Sequence, residues 1–119
     1  LSADSLVFIS SGELPTALSI FLQGSATLAN PVNFGDGLRC VGGTLKRLYV
    51  KNAIGGVASA PALGDPSVSA QSAALGDALI PGSKRYVQVY YRDANAGYCA
   101  APAGGNYNIS NGLILDWLP

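Results

Sequence analysis

Hydrophobic and polar positions alternate along this chain in short runs, each cut off by Gly, Pro, Asn or Asp. A two-residue period is the mark of a half-buried β-strand, whose successive side chains point to opposite faces. The pattern predicts strands over residues 5–10, 17–23, 38–41, 44–51, 67–73, 84–92, 107–110 and 113–118. In 17–23, Leu18, Ile20 and Leu22 share one face and Phe21 takes the other. In 44–51, Leu48 and Val50 oppose Arg47, Tyr49 and Lys51. The most regular run is 84–92, with Val87, Val89 and Tyr91 on one side and Tyr86, Gln88, Tyr90 and Arg92 on the other. Residues 67–73 alternate Ser67, Ser69 and Gln71 with Val68, Ala70 and Ser72. Gly76 and polar residues interrupt the Ala- and Leu-rich stretch 70–79, which argues against a helix there. Asn111-Gly112 predicts a type I′ turn, which needs positive φ at both positions, closing a hairpin between the last two strands. The Ala- and Gly-rich stretches 55–64 and 94–105 read as long surface loops.

About eight short strands at turn-separated spacing predict an all-β, single-domain β-sandwich of antiparallel strands, with jelly-roll or immunoglobulin-like topology. A small barrel is the alternative. The 119 residues fit one domain over 1–119, with 1–11 either its first strand or an N-terminal arm. An apolar fraction of 49% is enough to build a core, and charged residues make up only 12%.

Charge narrows the partners. Seven Lys/Arg balance seven Asp/Glu, and the densest basic spots are Lys46-Arg47 and Lys84-Arg85. Nucleic acid needs a basic stripe to replace released counterions, and anionic membranes need larger basic clusters. Neither a nucleic-acid partner nor membrane insertion is expected. The uncharged run 14–35 holds Pro15, Gln23, Gly24, Asn30 and Pro31, a poor composition for a membrane span. A domain near zero net charge has little repulsion between copies, which favours self-association. The chain begins at Leu1 and has no Met, as expected of an exported product whose signal peptide is gone, or of an excised domain.

Candidate chemistry is sparse. Without His, Ser-His-Asp and Cys-His systems lose their base, and the usual zinc sites lose ligands. Cys40 and Cys99 lie too far apart for a Cys-x-x-Cys redox motif and suit a structural disulfide; two buried thiols are the alternative. A bridge closing about sixty residues contributes roughly 4 kcal/mol in the chain-entropy picture. The acids Asp4, Glu13, Asp36, Asp65, Asp77, Asp93 and Asp116 could supply a catalytic carboxylate pair. Most adjoin Gly or Pro, however, as turn residues do. No cofactor is expected. Calcium held by Asp36 and Asp93 with loop carbonyls ranks below pairing of these two carboxylates with the flanking Arg39 and Arg92. Tyr86 and Tyr90, with Arg92 beyond, form a candidate ligand platform if their face is open; the competing reading places them in a sheet seam.

Three segments together resemble a module found near the C-terminus of many secreted proteins of environmental bacteria. The first is Phe34-Gly35-Asp36-Gly37-Leu38-Arg39-Cys40 followed by Gly42-Gly43. The second is Arg85-Tyr86, Gln88, Tyr90-Tyr91-Arg92-Asp93 and then Cys99. The third is Asn106, Asn108, Ser110-Asn111-Gly112 and Trp117, with Phe21-Leu22-Gln23-Gly24 upstream. The resemblance covers most of the chain. It implies export, a paired cysteine and an appended or repeated module, and it implies no reaction.

The resulting expectation is a non-enzymatic extracellular or cell-surface module whose partner is itself, built into a fibre or surface assembly. The apolar residues Leu6, Val7, Phe8 and Ile9 would form an arm that joins a neighbour's sheet edge. The alternative is an adhesion module that binds glycan or a cell-surface polymer through Tyr86, Tyr90 and Arg92.

Overall fold

A computed structural model describes residues 4–13, 15–34, 37–92 and 107–117. The chain is mostly β, and every described strand pairing is antiparallel. The strands are β1 (Phe8–Ser10), β2 (Leu18–Gly24), β3 (Ala26–Phe34), β4 (Gly37–Gly42), β5 (Lys46–Asn52), β6 (Ala58–Ala60), β7 (Lys84–Arg92), β8 (Tyr107–Ile109) and β9 (Leu113–Asp116). One helix, α1 (Val68–Ala74), lies between β6 and β7. The main sheet runs β5-β2-β7, with β8 and β9 both on the outer side of β7. Two smaller ladders, β1-β6 and β3-β4, stand apart from it.

The core lies against one face of the main sheet. Phe21 and Tyr49 meet edge-on with ring centroids 6.4 Å apart, and Phe8 from β1 stacks on Phe21 at 6.2 Å. Ala58 and Ala60 of β6, Val68 of α1, Val87 and Val89 of β7 and Trp117 complete the cluster. Small alanines let the β1-β6 ladder sit close to the sheet. On β5 the expected alternation breaks: Phe21 pairs Tyr49 but Leu22 pairs Arg47, so Leu48 is the extra residue of a bulge. The bulge turns both Leu48 and Tyr49 inward, burying the tyrosine that period two had set opposite Leu48.

Residues 67–73 are not a strand, because their end signals are those of a helix. Ser67 caps the first turn, its hydroxyl accepting from the Ala70 N–H. At the other end the Gly76 N–H donates to the Ala73 carbonyl and the Asp77 N–H to the Ser72 carbonyl, with Gly76 at φ +93°. That is a Schellman closure, and Gly76 supplies the left-handed residue it needs. Gly76 therefore ends a helix and does not interrupt a strand. Residues 58–60, expected within a loop, form β6 because β1 lies beside them. Alternation does not reveal β3, whose ladder breaks between Thr27 and Val32; Pro31, which lacks an N–H, falls in that break.

The expected closing hairpin is also replaced. β8 pairs the far half of β7 (Tyr90 with Ile109) and β9 the near half (Val87 with Leu113), both in the same direction. Ser110, Asn111 and Gly112, three residues opposite Gln88 and Val89, thus form an edge bulge between β8 and β9. Neither Asn111 nor Gly112 has positive φ, so no type I′ turn forms. Ser110 stitches the bulge: its N–H donates to the Val89 carbonyl and its hydroxyl accepts from the Val89 N–H. What Gly112 provides is clearance, since a Cβ there would lie 3.0 Å from Cys40 Sγ.

Candidate functional site

The β3-β4 ribbon lies across the face of the main sheet opposite the core, and Gln88 fixes it there. Gln88 is 2% exposed. Its Oε1 accepts from the N–H groups of Cys40 and Val41 at 2.9 and 3.2 Å, and its Nε2 donates to the carbonyls of Ser110 and Leu38 at 2.7 and 3.2 Å. All of its hydrogen-bonding capacity is used, which is what makes a buried amide tolerable. The ribbon approaches closely enough that a Cβ on Gly24 would lie 2.4 Å from the Gly42 carbonyl oxygen.

This pin divides the tyrosine face. Tyr86 and Tyr90 stand two residues either side of Gln88, about 13 Å apart along the strand. Tyr86 lines a cleft with Thr27, Cys40, Val41, Gly112, Leu113 and Ile114. Tyr90 lines a separate cavity of about 260 Å³ with Leu22, Arg39, Leu45 and Arg47. Arg92 is exposed at the end of β7, opposite Tyr107 in register. The two tyrosines therefore line two cavities, and Tyr90 shares its cavity with Arg39 and Arg47, which the sequence did not connect to it. The available signal was Arg47 alternating out of the core beside Leu48, but its meeting with Arg39 depends on the fold of the ribbon.

The N-terminal residues divide by alternation. Phe8 is buried and Leu6 packs against the core, whereas Val7 is 48% and Ile9 73% exposed. β1 pairs with β6 of the same chain. A cavity of about 210 Å³ is lined by residues 8–11 of and after β1 and by Val87, Gln88, Val89, Ser110, Asn111 and Leu113. Among the described residues no charged side chain lines it.

The described acids are engaged structurally. Asp77 accepts a two-pronged fork from Arg85, Nε to Oδ2 at 2.9 Å and a terminal nitrogen to Oδ1 at 2.7 Å, and also accepts from Gln23 Nε2 at 3.2 Å. The Arg85 hydrogen bonds hold its carboxyl below the ordinary 3.8, against a burial penalty that acts the other way. Asp65 pairs with Lys51, which lowers its carboxyl likewise. Burial pushes Asp4 up, but N–H donors from Ser69 and Leu6 outweigh it, so its carboxyl is also lowered. Asp116 pairs with Lys84 at 3.3 Å on the surface. Glu13 is buried, with Oε1 accepting from the Ser19 hydroxyl. Asp36, Asp93 and Cys99 lie outside the described residues, so the calcium pair and the disulfide fall there in part; Cys40 sits half-buried on β4. Among the described residues no three potential ligands from His, Cys, Asp and Glu come together.

No family model, curated protein or solved structure matches this chain.

Proposed function

We propose that this is a non-enzymatic extracellular module that self-associates into a fibre or surface assembly. The observation that carries the reading is the uncharged cavity beside β1, a three-residue strand whose described partner is β6 alone. The edge of β1, which among the described residues pairs with β6 alone, next to a cavity lined by Leu113 together with Ser10, Ser110 and Asn111, has the makings of a site for a further strand. The zero net charge lets copies approach, and Ile9 and Val7 add apolar surface nearby. The structural engagement of Asp4, Asp65, Asp77 and Asp116 supports a role without catalysis. Export, a two-layer sandwich architecture and a Cys40–Cys99 bridge belong to the same proposal; Cys40 stands at the junction of ribbon and bulge, where a bridge would tether the far end of the chain. The resemblance to secreted bacterial modules points the same way.

Light scattering across a concentration series tests it. The wild-type chain should grow in mass with concentration, and Leu113→Lys, which sets a charge in the cavity wall, should remain monomeric. Removing 1–11 is a poor test, because Phe8 belongs to the core. Mass that stays monomeric at every concentration would exclude the proposal.

A second reading, adhesion to a cell-surface polymer or glycan, is favoured by the cavity that joins Tyr90 to two arginines.

A further inference from the structure

We infer that Asn111-Gly112 in the edge bulge is a site of self-modification, at which the Asn111 side-chain amide is lost as ammonia and replaced by a carboxylate, and that Ser110 promotes the step. The chemistry is an intramolecular attack, favoured by proximity. The backbone nitrogen of Gly112 gives up its proton and bonds to Asn111 Cγ, and ammonia leaves with the side-chain nitrogen. Water then opens the cyclic imide at either carbonyl, giving aspartate or its β-linked isomer. Each amide so converted consumes one water and releases one ammonia. Asn111 is the only asparagine of the chain followed by Gly; the others precede Pro, Phe, Ala, Tyr or Ile. A glycine nitrogen has no Cβ beside it to hinder the approach. Asn111 and Gly112 are exposed and belong to neither flanking ladder, since pairing with β7 stops at Ile109 and resumes at Leu113. Water reaches the pair, and the backbone can turn there without opening either ladder.

The bulge supplies more than exposure. The nitrogen that must lose a proton belongs to the same peptide group as the Asn111 carbonyl, and the Ser110 hydroxyl donates to that carbonyl oxygen at 2.9 Å. The Ser110 oxygen in turn accepts from the Val89 N–H at 2.9 Å. Both directions are fixed, because an N–H only donates and a carbonyl only accepts. The two bonds form a chain from the backbone of β7 to the reacting peptide, and each polarises the next. Drawing electron density toward the Asn111 oxygen makes the Gly112 N–H more acidic and its anion easier to form. The fold also keeps the reactive pair together. A Cβ at position 112 would lie 3.0 Å from Cys40 Sγ, so glycine is what the packing of the ribbon admits. Asn111 lines the cavity beside β1, where no charged side chain is found among the described residues. The product therefore sets a negative charge in that wall, and its β-linked form adds a main-chain atom to the bulge. For assembly this is a timer that closes the site to a further strand. That consequence rests on the self-association reading; the modification itself does not.

The test ages the folded whole chain at mildly alkaline pH. Mass spectrometry follows each asparagine, and an isoaspartyl methyltransferase reports the β-linked product. Asn111 should convert before any other asparagine, and faster as pH rises. Ser110→Ala should slow the conversion by roughly threefold or more, as the loss of one modest hydrogen bond to the transition state would. Ser110→Thr keeps the hydroxyl and should react at the wild-type rate. An Asn111 that keeps its amide while another asparagine reacts would overturn the site. A Ser110→Ala chain that is folded by circular dichroism and reacts as fast as wild type would overturn the part given to Ser110. If Ser110→Ala does not fold, wild type in urea takes its place: the native chain should react faster than the unfolded one, and a slower native chain would mean that the fold protects the pair, contrary to the inference. Light scattering separates the consequence from the site. Aged wild type should lose the concentration-dependent mass that aged Asn111→Gln, which cannot close the same ring, retains. Conversion with no loss of assembly would overturn the timer. A fresh chain that is monomeric at every concentration would remove the assembly reading and leave the modification standing.

Discussion

Gln88 joins the β3-β4 ribbon to the main sheet through four hydrogen bonds. It sits on β7 between two valines that face the core, and it points the other way to satisfy four backbone groups of β4 and the edge bulge. Gln88→Leu would keep the bulk and leave the Cys40 and Val41 N–H groups without their partner, at a cost of about 2–4 kcal/mol. Urea unfolding should show that loss, and amide exchange should accelerate first at residues 38–42. Asp77 works at the same scale. Its carboxyl is lowered by Arg85, so the stability it contributes is whole above 3.8 and is lost as pH falls through the lower folded-state value. Asp77→Asn should be less stable by about 2 kcal/mol at neutral pH and should flatten the acid limb of a stability–pH curve. Tyr49 governs the alkaline side. Burial, with help from the charges of Asp4 and Asp65, pushes its phenol up to about 12, and its hydroxyl donates to the Pro66 carbonyl. A raised value means that stability is whole below the ordinary 10.0 and is lost as pH climbs toward 12. Tyr49→Phe should remove that limb, measured by denaturation between those two values.

At the scale of elements, close approach and capping set the order of severity. Gly24→Ala would drive a methyl into the Gly42 carbonyl and the Val41 side chain, each 2.4 Å away. Both strands are fixed by ladders, so the ribbon must lift, and a loss above about 2 kcal/mol is expected. Gly76→Ala has no comparable clash, its nearest atom being Lys46 Nζ at 3.8 Å, and loses only the left-handed preference, about 1 kcal/mol. Comparing the two melting curves checks that order. These elements also show what alternation could reveal. The run 84–92 was legible residue for residue, because both its faces are buried or half-buried and its period is unbroken. Residues 67–73 mimic a strand because small residues fit either period, and only the Ser67 and Gly76 end signals separate helix from strand. Residues 26–34 escaped because a ladder broken around Pro31 has no period to read. Asn111-Gly112 failed as a turn because β7 offered its whole length as an edge, and pairing along it displaced the hairpin.

For the molecule as a whole, one main sheet carries different surfaces on its two sides. One face holds the core, capped by α1 and the β1-β6 ladder, with the uncharged cavity beside β1. The other is crossed by the ribbon, with the Tyr90 cavity below it. The sequence could not show that Gln88 would separate Tyr86 from Tyr90. Nor could it show that Phe8 would be core while Ile9, one residue on, would be 73% exposed beside an open cavity. Ile9→Lys should therefore weaken assembly without unfolding the domain, whereas Phe8→Ala should unfold it, costing about 3–5 kcal/mol. Circular dichroism together with light scattering separates the two outcomes.

The most direct test of self-assembly through this cavity is amide hydrogen exchange at low and at high protein concentration. Strand addition beside β1 predicts that raising the concentration slows exchange at residues 8–11 and 110–113 and leaves the outer edge of β5 unchanged. Exchange that is independent of concentration at residues 8–11, or slowing confined to β5, would contradict it.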